Sequence, residues 1–326
     1  MILTGSPRRL LALASSAALT LAACGGDDTG SASSDAPVVA TTSIWADVTS
    51  NVGCGAEVPA LIPAGADPHS FEPSLQDREL VDGATTVIAN GLDLEEPILP
   101  LLDVAADNGT NVIELAIDVD VLMPTDEHDH DDEDHDDEDH DEEEGQVDDD
   151  HGHAHGDGGD PHFWQDPRRV SGTLDTIATA LAANSIDTCV DEYRAELESL
   201  DAEIESMLAP IPDDARVLVT SHESLAYFAD RYGFEIVGTV IPSMSTMAET
   251  NAADLAELSD EIERHGVEVI FTEEMSSAAD AEALADRLGV AVVPLVTDSL
   301  TDDPDTDTYV EMMRHNAGLI AEQLVP

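Results

Sequence analysis

The segment Val38-Val39-Ala40-Thr41-Thr42, followed at once by the helix-patterned stretch Ile44–Val52, decides how the chain is read. A short run rich in β-branched residues running into a segment free of Gly and Pro is the opening of a βα unit. The same rhythm continues through Val58–Ile62, Thr85–Ala89 and Asn111–Leu115, with helix-like segments at Leu75–Val81 and Pro97–Ala106. It restarts after Pro212 with Arg216–Thr220, Glu235–Val237, Val267–Phe271 and Val290–Val293. Strands alternating with helices predict an α/β fold of two lobes, each a largely parallel sheet flanked by helices. Between them lies one long helical pattern, residues 187–209. Asp187 is placed to cap it, Tyr193, Leu197, Leu200, Ile204 and Met207 form its apolar stripe, and Pro210 and Pro212 end it. The expected lobes are residues 37–186 and 210–326.

The charge balance narrows the partners. Eleven bases, all of them Arg, stand against 72 acids, a formal charge of −61. A chain so acidic lacks the cations that release counterions from a phosphate backbone, so no nucleic-acid partner is expected. Electrostatic docking to an anionic lipid surface is disfavoured for the same reason. The acids are concentrated in the stretch 126–160, which holds 20 of them, no base and seven histidines: His128, His130, His135, His140, His151, His153 and His155. With no apolar periodicity and strong self-repulsion, it reads as a disordered loop inside the first lobe. Carboxylate mixed with imidazole is a ligand set for zinc and related divalent ions. The plainer reading is a solvated charge run with incidental histidine.

The first residues bear on location. Arg8-Arg9 precede the apolar run Leu10–Leu19, which ends in Leu21-Ala22-Ala23-Cys24; this is the layout of a secretory signal too short to span a bilayer permanently. Its closing tetrapeptide resembles the bacterial lipobox, which implies removal of residues 1–23 and a lipid on Cys24. A plain signal peptide with a chance cysteine is the alternative. Residues 24–36 have a flexible tether composition, and lipid anchoring would hold the protein on the outer face of the plasma membrane. In that oxidising setting Cys54 and Cys189, with no other cysteine near either, are expected to form a disulfide rather than a thiolate metal site.

Four residues fall at or near strand ends, where ligands gather in open α/β sheets. They are His69 after the second strand, His162 after the acidic loop, His222 after the first strand of the second half, and Asp298 after the last strand. Each half supplies two, as a site between two lobes would need. Taken singly, a loop histidine is more often a surface or hydrogen-bonded residue than a ligand. Glu72 and Asp166 are candidate supports for the neighbouring histidines. His265, before Gly266, suits a helix end, and His315 shares a helix with the core candidates Met312 and Met313.

The motifs Pro68-His69-Ser70-Phe71-Glu72-Pro73, Asp160-Pro161-His162-Phe163-Trp164-Gln165-Asp166-Pro167 and Ser221-His222-Glu223-Ser224-Leu225-Ala226-Tyr227-Phe228 carry a resemblance. So do Ala89-Asn90-Gly91-Leu92 through Glu95, Thr297-Asp298-Ser299 and Tyr309–Asn316. Together they resemble the zinc/manganese solute-binding lipoproteins of ABC transporters (cluster A-I), closest to the zinc-uptake type with a His- and acid-rich loop. The resemblance implies two α/β lobes joined by a rigid helix, with metal held in the cleft by His69, His162, His222 and Asp298. It implies capture of Zn2+ and delivery to a membrane permease driven by a cytoplasmic ATPase, with the loop as a low-affinity collector. It does not imply an enzyme: neither a P-loop nor an H-E-x-x-H helix occurs in the chain. Manganese or iron import, a role as a surface adhesin, and a secreted zinc hydrolase are the alternatives.

Overall fold

The computed structural model describes residues 36–123, 158–248, 250–273 and 278–326. The signal segment 1–23, Cys24, nearly all of the tether, and the histidines from His128 to His155 lie outside the described residues.

Two four-stranded sheets carry the fold, and all their pairings are parallel. The first runs in the order β2 (Ala60–Ile62), β1 (Val38–Thr42), β3 (Thr86–Ala89), β4 (Asn111–Glu114). The second repeats that order as β6 (Glu235–Thr239), β5 (Val217–Thr220), β7 (Val269–Glu273), β8 (Ala291–Leu295). Parallel strands need crossovers, and helices supply them. These are α1 (Ser43–Val52), α2 (Leu75–Gly83) and α3 (Leu99–Asp107) in the first half. The second has α6 (Ala226–Tyr232), α7 (Ala252–His265) and α8 (Ala279–Leu288). Burial on both faces explains why β1 and β7 are buried along their whole length and read as apolar or β-branched runs, broken only by Glu273 at the end of β7.

Helix α4 (Pro167–Ala183) leads into α5 (Val190–Leu208), which packs on α4 and on the C-terminal α9 (Tyr309–Leu324). The stripe expected on α5 is buried at Tyr193, Leu197, Leu200 and Ile204; the last buried position is Leu208 rather than Met207. The cap expected from Asp187 is not made. Helix α5 begins three residues later, with Cys189 at its N-cap position and no side-chain bond there. Cys189 is instead held by the disulfide to Cys54 and by its backbone N–H donating to Val52 O at 2.7 Å, so the covalent link sets where the helix starts.

The two halves share one apolar cluster. It runs from Val38 and Trp45 through Phe163, Trp164 and Leu197 to Phe271, Tyr309 and Met312. Removing a buried aromatic from such a cluster costs about 3–5 kcal/mol, so the halves are fixed to one another by packing as well as by chain connection.

Disorder is expected up to Asp160, but among the described residues 158–160 both Gly159 and Asp160 are packed against the rest of the first half. Asp160 is buried, its N–H donates to Leu122 O at 2.9 Å, and its carbonyl accepts from the Tyr227 hydroxyl at 2.7 Å. Gly159 lies so close to the outgoing strand of chain that a Cβ there would meet Val121 Cγ1 at 2.3 Å. The foot of the acidic loop is thus closed by backbone pairing and tied to α6 of the other half.

Candidate metal centre

Each candidate ligand sits just past the carboxyl end of a strand or in a short turn, and each is held by bonds to its neighbours. His69 follows β2; its N–H donates to Asp67 Oδ1 at 2.8 Å, while Asp67 Oδ2 accepts from the Thr246 hydroxyl of the second half at 2.7 Å. His162 opens a 3-10 turn, and Asp160 Oδ1 takes both its N–H (2.9 Å) and its ring Nδ1 (2.7 Å). His222 follows β5, its Nδ1 against the Glu273 carboxylate at the end of β7.

Asp298 follows β8 and is fixed on both sides by the first half. Thr297 O accepts from Trp164 Nε1 at 2.8 Å and Gln165 Nε2 at 3.2 Å. Beyond it, the Ser299 and Ser43 hydroxyls lie 3.0 Å apart, Leu300 N–H donates to Ser43 Oγ, and Gly65 N–H donates to Leu300 O. Gly65 adopts φ +81°, a conformation that suits glycine, and so turns its N–H toward that carbonyl.

A second network fixes the His162 turn. Asn90 receives Trp45 Nε1 on its Oδ1 at 2.8 Å and donates Nδ2 to Pro161 O at 3.0 Å. Its backbone N–H donates to buried Glu95, which also accepts from the Thr41 hydroxyl. These residues come from the Asn90-Gly91-Leu92 through Glu95 stretch, which the sequence marked without a role.

The structure brings His69, His162, His222 and Asp298 together. One donor atom from each lies within 4.8 Å of all the others, and all four residues are buried. His222 Nε2 stands 3.3 Å from His162 Nε2 and 3.6 Å from Asp298 Oδ2. His69 Nε2 and Asp298 Oδ1 are buried without a hydrogen-bond partner among the described residues. Buried polar atoms are rarely left so, and a cation among them would satisfy both. Three imidazoles and one carboxylate are a complete donor set for a tetrahedral divalent ion.

The electrostatics fit a site waiting for positive charge. Burial, helped by the neighbouring His162 and His222, lowers the His69 pKa to about 3, so it is neutral and its lone pair is free. Burial acts the same way on His222, but the Asp298 and Glu273 carboxylates together outweigh it and raise its pKa to about 9. Asp298 is raised, since its burial outweighs the attraction of His222. Glu273 is lowered: burial opposes its charge, and contact with His222 overcomes that. Without metal, a proton on His222 takes the place of the cation.

Three carboxylates that touch the candidate ligands, Asp67, Asp160 and Glu273, were not singled out in the sequence. Asp160 was within reach of a local reading, two residues before His162; Glu273 lies 51 positions from His222 and gives no local signal. The supports expected instead do other work. Glu72 is exposed, and Asp166 caps α4 by accepting from Arg168 N–H and pairs with Arg169 at 2.9 Å. His265 ends α7 before Gly266, and Met312 and Met313 are buried on α9, as expected.

The family profile described as zinc-uptake complex component A, periplasmic, matches residues 38–323. The chain belongs to this family. Among curated relatives, the manganese-binding lipoprotein MntA of Halalkalibacterium halodurans is 26% identical over 92% of this chain and 92% of its own length. The zinc-binding lipoprotein AdcA of Streptococcus pneumoniae is 30% identical over 94% of this chain and 59% of its own. Among solved structures, the periplasmic zinc-binding protein TroA of Treponema pallidum superposes with a TM-score of 0.71, at 24% identity, over 89% of this chain and 99% of that one. The two parallel four-stranded sheets are thus a TroA-like fold. Members of the zinc-uptake component family are metal-binding solute receptors that work with an ABC permease and ATPase. No described helix is long and apolar enough to cross a membrane.

Proposed function

We propose that this protein captures Zn2+ through His69, His162, His222 and Asp298 and presents it to the permease of an ABC importer. The observation that carries the reading is the buried convergence of three imidazoles and one carboxylate, a nitrogen-rich set that suits zinc better than an oxygen-preferring ion. Four protein donors close the site and leave no position for a reactive water, which favours capture over catalysis. In this reading the chain is exported, loses residues 1–23 and is anchored by lipid on Cys24. The acidic histidine loop collects zinc weakly outside the cleft.

Manganese is the second reading, favoured by the names of the MntA relatives from Halalkalibacterium halodurans and Bacillus subtilis. One set of calorimetric titrations separates these possibilities. The intact protein and a variant lacking residues 126–157 are titrated with zinc, with and without competing manganese. Both forms are expected to show one tight zinc site that manganese does not displace, and only the intact form several weak ones. Displacement by manganese would overturn the zinc assignment. Loss of the tight site with the loop would overturn the division of labour.

A further inference from the structure

A carboxylate lies behind His222 that the four-residue centre does not use. Glu273 is the last residue of β7, 6% exposed, and its Oε1 meets His222 Nδ1 and accepts from the Ser224 hydroxyl at 3.1 Å. On the other edge of the same ring, Nε2 faces His162 and Asp298. The imidazole is therefore gripped from behind and aimed forward.

This arrangement has two consequences. Donation of Nδ1–H to a carboxylate fixes the tautomer in which Nε2 carries the free lone pair. The charge count also changes. Asp298 opposes only one of a divalent cation's two charges, and neutral imidazoles oppose none. A net positive charge buried this deeply is costly. Glu273 behind His222, with Asp160 behind His162, supplies negative charge from outside the coordination sphere, so both imidazoles can remain nitrogen donors. A carboxylate in the place of His222 would supply the charge but remove the nitrogen.

We propose that Glu273 is a positioning residue that fixes His222 as an Nε2 donor and neutralises the captured cation from behind it. The inference rests on the four-residue reading of the centre. It differs from the role of Asp160, which holds His162 from two residues away and also bonds its backbone. Glu273 reaches His222 from a separate strand and also accepts from Ser224 in the turn that bears the ligand, so the thermal midpoint of the metal-free protein is read beside the metal affinity.

The test compares Glu273→Ala, Glu273→Gln and His222→Ala in the full chain by zinc calorimetry and by the visible absorption of the Co2+ form. Glu273→Ala is expected to lower zinc affinity about 10–100-fold and to change the cobalt bands. Glu273→Gln offers an uncharged acceptor to the same Nδ1–H. It should restore the cobalt spectrum while its zinc affinity lies between those of Glu273→Ala and the wild type. A purely structural role would lower the thermal midpoint of the metal-free protein and leave the cobalt spectrum of the folded variants as in the wild type.

Wild-type affinity and spectrum in Glu273→Ala would overturn the proposal. Should that variant not fold, Glu273→Gln decides: weakened zinc binding with a native cobalt spectrum supports the proposal, and wild-type affinity overturns it. Tight zinc binding that survives His222→Ala would instead overturn the centre itself, so the two failures are distinguishable.

Discussion

Replacing His222 with Ala is expected to weaken zinc binding by more than about 100-fold, because loss of a residue merely behind a ligand already costs about 10–100-fold. His222 contributes more than one bond. Its Nε2 stands within 3.6 Å of both His162 Nε2 and Asp298 Oδ2, and its Nδ1 faces Glu273. The substitution removes the nitrogen donor and leaves Glu273 buried beside a cavity. Breaking a buried ion pair by deleting one partner destabilises by about 3–5 kcal/mol, so the metal-free variant should also unfold at a lower temperature. Calorimetry well below that midpoint separates the two effects. Affinity within tenfold of the wild type would show that the cluster does not need this imidazole.

Zinc release on acidification is the second large effect. Metal requires neutral His222, whereas in the metal-free protein the neighbouring carboxylates hold its proton up to about pH 9. Capture at neutral pH therefore expels a proton, and affinity should fall about tenfold for each pH unit below 9. The sign for the metal-free fold is the opposite. A histidine whose pKa is raised from 6.5 to about 9 stabilises the fold fully below 6.5, and that contribution fades as the pH rises through 9. His69, lowered to about 3, holds no proton for the metal to displace in this window and adds nothing to the affinity slope. Competition with a chelator of known pH dependence between pH 6 and 9, together with proton release measured in two buffers, reads the effect. A flat affinity over that range would contradict the proton-for-metal exchange.

Much of this was legible in the sequence because the signals were local. The strand–helix alternation follows from side-chain periodicity within single elements, and both sheets formed from the segments expected. The ligand candidates were legible because strand ends are marked by where apolar runs stop. What was missed depends on pairing across the chain. Glu273 looks like any acid at the end of an apolar run until β7 is laid beside β5, which brings it under His222. Asp187 has the chemistry of a cap, but the bond between Cys54 and Cys189 moves the start of α5 beyond it. Asp160 was absorbed into an acidic run by composition, although it makes two hydrogen bonds to His162 and pairs with Leu122. Nor does any local pattern reveal that Thr297 and Ser299, flanking Asp298, are tied to Trp164, Gln165 and Ser43 of the other half.

The most direct test is X-ray absorption at the zinc edge on protein loaded with one equivalent of Zn2+. A four-coordinate ion with three imidazole nitrogens and one carboxylate oxygen, at about 2.0–2.2 Å, is the expected result. A six-coordinate, oxygen-dominated shell, or fewer than three imidazoles, would contradict it.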